Sequence, residues 1–404
     1  MLSEQFPELP PQLPNNLPTH LPPQLNWQVH CNVIDNYGDV GVAWRLCCDL
    51  AGRGQHVQLH IDDASALAWM APQGCPGVEV VDGRQGSPTQ FTTNIDVFIE
   101  CFGCNIDNIL IANLPHFMLG ISNEVLLINL EYLSAENYAL RNHGLASPLA
   151  GILAQHMAKF FFYPGFVPGT GGLLREPTLA QRQANFNRLE WLQWLSAQCV
   201  PSSQFDVQAS APVQIVSLFC YEPSALPALL QQWANSPHNT RLLVTHGRAS
   251  HAVQAALTGL QASNPSKNQR GSLSISYLPA LTQIQYDALL WASDLNFVRG
   301  EDSLVRALWA GKPFVWHVYP QDDNAHHAKL AAFLQWLQAD AGLTAFHQAW
   351  NAASTATLPT QLPNMDLPAW GEIARQARNR LLLQPDLCSQ LLDFVAEKRK
   401  SKLK

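Results

Sequence analysis

Apolar positions along the chain recur with two periods, and the exchange between them lays out the elements. Gln28-Val29-His30-Cys31-Asn32-Val33-Ile34 is a short, β-branched run of strand type. Beyond a polar turn, Val42, Leu46 and Leu50 are spaced by four, on one face of a helix that closes at Gly52 and Gly54. The exchange then repeats to the end of the chain. Strands are expected at 28–34, 57–61, 78–82, 96–101, 125–131 and 159–163, then at 213–219, 241–245, 273–278, 294–298 and 313–317. Helices are expected near 225–234, 249–259, 283–292, 302–310 and 324–338. Strands alternating with helices predict parallel sheets joined by crossover helices. A Gln- and Trp-rich helical stretch, 179–199, followed by the turn-prone Pro201-Ser-Ser-Gln-Phe-Asp, puts a domain boundary near 200. Two last helices, about 368–383 and 386–399, are in a position to pack back onto the first domain.

Composition narrows this picture. A chain of 404 residues exceeds the size at which single cores stop growing, so two domains are expected. No apolar run is long enough to span a membrane, and the N-terminus lacks the basic-then-apolar pattern of a secretory signal. Residues 1–25 carry seven prolines and read as an extended or flexible arm. Nine scattered cysteines, odd in number and mostly inside apolar runs, are the usage of a reducing cytoplasm. Cys101-Phe-Gly-Cys104 has metal-ligand spacing but no second pair to complete four ligands. A formal charge of −7 argues against a nucleic-acid partner. The basic C-terminal run from Glu397 to Lys404 reads as a helix end complementing its dipole.

Two turns stand out as candidate chemistry. Asp35-Asn36-Tyr37-Gly38-Asp39 sets two carboxylates four apart in the first strand-to-helix turn, where open α/β sheets bind ligands. The plain alternative is that Asp39 caps its helix. Arg299-Gly300-Glu301-Asp302-Ser303 follows a buried strand and opens a helix. There Gly300 allows close approach, Ser303 and the helix N–H groups donate to anionic oxygens, and Arg299 adds charge, which suits a diphosphate leaving group. An ordinary capped helix is the alternative. Neither Gly-x-Gly-x-x-Gly nor a P-loop is present, which removes the best warrant for dinucleotide or P-loop chemistry. Phe219 and Tyr221, two apart at the end of a strand, share a face on which a ring can stack, or on which a core can pack. Asp322-Asp323-Asn324-Ala325-His326-His327 has adjacent histidines that diverge on a helix, so a helix start capped by Asp323, with Tyr319 just before it near the diphosphate, is preferred to a metal site. Gly165–Gly172 has the composition of a phosphate cradle, but a mobile loop near an acceptor is preferred.

Together, Asp35-Asn36-Tyr37-Gly38-Asp39-Val40-Gly41, Arg299–Ser303 and the run Trp309-Ala310-Gly311-Lys312-Pro313-Phe314-Val315-Trp316-His317 closely resemble one family, the bacterial protein-arginine rhamnosyltransferases that modify elongation factor P. The resemblance extends from about Trp27 to about Phe394. It implies a glycosyltransferase-B arrangement of two doubly wound, Rossmann-like α/β domains facing across a cleft. Residues 26–200 would form the acceptor side, with C-terminal helices (about 380–404) packing back, and residues 201–379 the nucleotide-sugar side. It implies transfer of L-rhamnose from dTDP-β-L-rhamnose to an arginine of elongation factor P, with inversion. No cofactor and no metal are expected, nor any nucleic-acid or membrane partner, and the location would be the cytoplasm. The resemblance places thymine against Phe219 and Tyr221, gives Gln283 the reading of the base, and makes Glu301 matter for activity. Asn36, Tyr37, Gly38, Arg299, Gly300, Asp302, Ser303 and Tyr319 complete the expected donor side.

A guanidinium has effectively no neutral form at pH 7, so prior deprotonation is not available. Two carboxylates can accept its N–H fork, aim one nitrogen at the anomeric carbon and take the proton as the C–N bond forms. Asp39 is assigned as the base and Asp35 as the orienting partner. The rival readings are a different dTDP-sugar enzyme, such as an epimerase or hydrolase using the same acids, and a non-catalytic protein that binds elongation factor P.

Overall fold

The structure is a computed structural model that describes residues 24–35, 37–85, 95–112, 125–149, 151–200, 203–206, 212–259, 269–321, 325–352 and 361–401. Most of the proline-rich arm, Asn36 and the stretch 322–324 lie outside the described residues. The first sheet holds β1 (Asn26–Cys31), β2 (His56–Ile61), β3 (Val78–Asp82), β4 (Val97–Cys101), β5 (Leu126–Leu130), β6 (Ala146–Ser147) and β7 (Ala158–Phe162), in the order β3-β2-β1-β4-β5-β7-β6. The second holds β8 (Val213–Leu218), β9 (Asn239–Val244), β10 (Gln269–Arg270), β11 (Leu273–Tyr277), β12 (Leu295–Arg299) and β13 (Phe314–His317), in the order β10-β11-β9-β8-β12-β13. All pairings are parallel except β6 with β7 and β10 with β11, two short antiparallel edges. Apolar runs without alternation, such as Val97-Phe98-Ile99, are buried on both faces, as parallel sheets require.

The helix Gly38–Gly52 covers the first sheet with Val40, Ala43, Leu46, Cys47 and Leu50. Val42, expected on that buried face, is half-buried and turned to the cleft. The last helix, Leu387–Ser401, packs Leu387, Cys388, Leu391 and Val395 into the same core, and Asp386 just before it pairs with Arg53 at 2.7 Å. The helix before it, Leu367–Leu382, goes the other way: Trp370, Ala374, Ala377 and Leu381 belong to the core of the second sheet. The chain therefore crosses back between these two helices. Two doubly wound sheets facing across a cleft form the glycosyltransferase-B arrangement. Among the described residues no helix is long and apolar enough to cross a membrane.

Trp316 in β13 shows how the second core supports the cleft. Its ring is fully buried against Phe333, while its Nε1–H donates to the carbonyl of Gly300 at 2.7 Å. Burying such a ring contributes roughly 1.5–3 kcal/mol, and here it also fixes the turn after β12.

Candidate active site

Each sheet reverses its winding at one strand, β1 between β2 and β4 and β8 between β9 and β12. Ligands bind at the carboxyl ends of strands at such switch points. The Asp35–Asp39 turn leaves β1 there, Phe219 and Tyr221 follow β8, and residues 299–303 follow β12.

Asp39 is buried at the start of its helix, whose N-cap is Tyr37 with no side-chain cap bond. Its Oδ2 accepts the backbone N–H groups of Ile34 and Asp35, both at 2.9 Å. The carboxylate thus ties down the preceding turn and does not cap the helix. Burial holds its carboxyl above the ordinary aspartate range, against the pull of those two N–H groups. Asp35 reaches across the cleft, where the Tyr221 hydroxyl donates to its Oδ2 at 2.6 Å. Its Oδ1 is buried without a hydrogen-bond partner. An orphaned carboxylate oxygen in a ligand cleft is a place for an incoming donor.

Gly300 makes this meeting possible. Its φ is +61°, and a Cβ there would lie 2.6 Å from Asp35 Oδ2 and 3.2 Å from the Tyr221 hydroxyl. The neighbouring acids are already paired with cations. Glu301 receives Lys329 Nζ at 2.6 Å on Oε1 and the Leu133 N–H, from the opposite domain, at 2.8 Å on Oε2. Burial raises its carboxyl and Lys329 opposes that. Asp302 lies 3.0 Å from Arg45 Nε. Neither acid therefore sets a bare negative charge beside a diphosphate. The Ser303 hydroxyl bonds the backbone of Arg299, accepting its N–H at 2.9 Å and donating to its carbonyl, so it is internal to the turn. No side chain caps the helix Asp302–Ala310, which leaves its first N–H groups for an anion.

Arg299 is buried with its guanidinium 4.4 Å from the Phe219 ring centre and 4.6 Å from that of Tyr221, and it donates to the Cys220 carbonyl at 3.2 Å. The two expected stacking rings therefore differ in role. Tyr221 is buried against Arg299, Arg248, His317 and Tyr319 and lines neither cavity of the cleft. Phe219 is half-buried, edge-on to Tyr286, and lines one of them.

Asp35 and Gly38 border two cavities. The smaller, about 70 Å³, is a slot among Tyr37, Trp69, Phe219, Gln283, Tyr286, Arg299, Asp302 and Ser303. It is narrower than the roughly 300–1,000 Å³ of ligand pockets. Gln283 helps to close it, donating Nε2–H to the Gly41 carbonyl at 3.0 Å. The larger, about 420 Å³, is a chamber bordered by Asp35, Asp39, Glu136 and Glu301 with Lys329 as the cation in its wall, and by Phe102, Tyr132, Tyr138, Gly300 and Tyr319. Slot and chamber differ in chemistry. One offers Arg299, a free helix start and an aromatic wall; the other offers, beyond the Glu301–Lys329 pair, the carboxylates of Asp35, Asp39 and Glu136, suited to a cation.

The Gly165–Gly172 segment borders neither cavity. Gly165 N–H donates to the Gly172 carbonyl and Gly171 N–H to the Tyr163 carbonyl, and a Cβ on Gly171 would meet the Phe162 ring at 2.3 Å. It is a packed turn where a loop near the acceptor was expected. Cys101 and Cys104 are buried free thiols around a tight turn. Among the described residues no group of three His, Cys, Asp or Glu side chains is placed to hold a metal.

Sequence reading missed Lys329, Arg45 and the carboxylates Glu176 and Asp287 that partner Arg45. A signal was present. Lys329 is the lone formal charge of the helix Ala325–Leu337, and Arg45, Asp287 and Arg306 each fall in apolar helical runs where an unpaired charge is untenable.

The family model for the elongation-factor P (EF-P) rhamnosyltransferase EarP matches residues 27–396. A protein-arginine rhamnosyltransferase of Pseudomonas aeruginosa is 37% identical over 385 residues, 92% of this chain and 99% of the relative. One of Pseudomonas putida is 36% identical over 394 residues, 91% of this chain and 98% of the relative. A solved structure described as the structural basis for EarP-mediated arginine glycosylation of translation elongation factor EF-P superposes with a TM-score of 0.59 at 27% identity, covering 93% of this chain and 99% of that one.

Proposed function

The chain belongs to the EarP family of protein-arginine rhamnosyltransferases, and from that premise we propose that it moves L-rhamnose from dTDP-β-L-rhamnose to an arginine of translation elongation factor P, inverting the anomeric centre. The observation that carries this reading is Asp35: one carboxylate oxygen held by Tyr221 across the cleft, the other buried and unpartnered beside Asp39. That is the half of a site that a guanidinium N–H completes.

In this reading the slot takes the nucleotide. Phe219 supplies the stacking wall for thymine, Gln283 exchanges its bond to Gly41 for one to the base, and Arg299 with the first N–H groups of the helix Asp302–Ala310 receives the diphosphate. Because the slot is narrow, donor entry parts the Gln283 contact and widens the cleft. The chamber takes the acceptor side chain, whose positive charge is drawn by Asp35, Asp39 and Glu136. Asp35 and Asp39 orient the fork, one nitrogen attacks the anomeric carbon as the glycosidic bond to the diphosphate breaks, and Asp39 takes the N–H proton. Burial of Asp39 raises its proton affinity toward what a general base requires. Attack from the face opposite the leaving group converts a β-linked donor into an α-linked product. Leaving charge is neutralised by Arg299 and backbone, which supports a metal-independent reaction. Fixing the two partners contributes as much as basicity, roughly 7–11 kcal/mol for well-oriented reactants.

The test is intact-mass measurement of elongation factor P after incubation with enzyme and dTDP-rhamnose. The wild-type acceptor should gain one deoxyhexose, and a variant whose target arginine is replaced by lysine should gain none, because an ammonium cannot bridge two carboxylates in a plane. An unmodified wild-type acceptor, or efficient transfer to lysine, would contradict the proposal.

A further inference from the structure

The helix that carries Asp39 is gripped by the second domain through one of its own side chains. Arg45, about 9 Å further along that helix axis, is buried with all three nitrogens engaged. Nη2 donates to Asp287 Oδ1 at 3.0 Å and to the Gln283 carbonyl at 3.4 Å, Nη1 donates to Glu176 Oε1 at 3.1 Å, and Nε lies 3.0 Å from Asp302 Oδ1 without hydrogen-bond alignment. Arg45 itself, Gln283 and Asp302 all border the slot. Between the last two the helix comes very close, since a Cβ on Gly41 would lie 3.3 Å from both Asp302 Oδ2 and Gln283 Nε2.

The surrounding ions allow the role of Arg45 to be isolated. Asp287 and Glu176 are also held by Arg306, at 2.7 and 2.8 Å, and by Arg182, at 3.2 and 3.5 Å. Asp302 pairs with Arg45. Three guanidinium groups, Arg45, Arg182 and Arg306, thus balance three carboxylates, Glu176, Asp287 and Asp302. Charge balance alone asks only for a cation or for the loss of one pair. Three simultaneous contacts from one planar fork, by contrast, fix the angle and register of the helix against its neighbours.

We propose that Arg45 is a positioning residue that sets the carboxylate-bearing helix of the first domain against the donor turn of the second. The proposal rests on the transferase reading for its effect on turnover, and on the contacts alone for its effect on domain seating. Its action runs through the backbone of the helix: Arg45 fixes the helix, the helix fixes Asp39, and Asp39 fixes the Asp35 turn through the Ile34 and Asp35 N–H groups.

The experiment compares full-length wild type with Arg45→Lys and with the pair Arg45→Met and Asp302→Asn, which removes the ion pair without stranding a charge. Three quantities are read: turnover, dTDP affinity by calorimetry, and amide exchange at Leu133, whose N–H bonds Glu301 across the cleft. Both variants should lose about tenfold or more in turnover, Arg45→Lys with dTDP affinity within about threefold of wild type because it keeps the positive charge at the slot, and Leu133 should exchange about tenfold faster in both. Should Arg45→Lys fail to fold, the paired variant alone decides. Wild-type turnover and wild-type Leu133 protection in the paired variant would reduce Arg45 to charge balance and overturn the proposal. A loss of dTDP affinity in Arg45→Lys as large as its loss of turnover would make Arg45 a donor ligand and overturn the proposal equally. If wild-type enzyme transfers no sugar, the transferase reading fails, while Leu133 exchange still decides the seating role.

Discussion

Gly300 carries the tightest constraint between the two halves of the site, because Asp35 Oδ2 and the Tyr221 hydroxyl both sit where its side chain would be. Gly300→Ala adds a left-handed-region penalty of about 1–2 kcal/mol and drives a methyl group into the carboxylate. It should lower turnover about tenfold or more while leaving most of the fold intact, measured by transfer time courses beside thermal melting; unchanged turnover would show that Asp35 is free to move. The state of Asp39 gives a second expectation. A base must be unprotonated, and burial lifts this carboxyl above the ordinary aspartate range. Acidification therefore protonates it sooner than a solvated aspartate, so kcat/KM should fall as pH drops through a limb lying above the usual value of about 3.9. A pH–rate profile still flat at that value would show that Asp39 is not the base. At this scale the sequence displayed the acids themselves, since two carboxylates in one turn are visible as letters. Which oxygen each presents was not visible, because Tyr221 lies 186 positions away and only the folded cleft makes it the partner of Asp35.

The turn after β12 acts as an element, since three of its residues lean on the other domain or on a neighbouring helix. Glu301 joins the Leu133 N–H to the Lys329 ammonium. Glu301→Gln keeps an acceptor for the N–H but loses the charge facing Lys329. Losing a charge-assisted bond of about 1.5–3 kcal/mol should lower turnover by roughly one to two decades, with dTDP affinity nearly unchanged. Lys329→Met should reproduce the effect, and full activity in both variants would remove the clamp from the mechanism. The strands were legible because short, mostly apolar runs such as Leu126–Leu130 and Leu295–Arg299 suit a strand covered on both faces. The two-residue strands Ala146–Ser147 and Gln269–Arg270 hold too few residues to show a period. Helix Leu367–Leu382 was recognisable as a helix, but its core was not, because an apolar stripe does not say which sheet it will cover.

The whole molecule turns on one cleft between two sheets, with cations and a helix start on one wall and carboxylates on the other. In the proposed reaction leaving charge is met by Arg299 and backbone N–H groups, so excess EDTA should leave the transfer rate within about twofold of its untreated value; abolition by chelation, reversed by adding a divalent cation, would mean that a metal shares the leaving group. The two-sheet α/β architecture was legible from length and from the repeated strand–helix exchange. The seam between domains was not, because charges such as Arg45 and Asp287, conspicuous in their apolar helical runs, do not say which partner will bury them. In the proposed reaction Asp39 acts on the acceptor from the first domain while the donor is held by the second. The most direct test is Asp39→Asn, with dTDP calorimetry and intact-mass transfer kinetics run on one preparation. The expected result is dTDP affinity like that of wild type and a kcat lower by roughly 10²–10⁴. Turnover within about tenfold of wild type, or loss of dTDP binding along with activity, would contradict it.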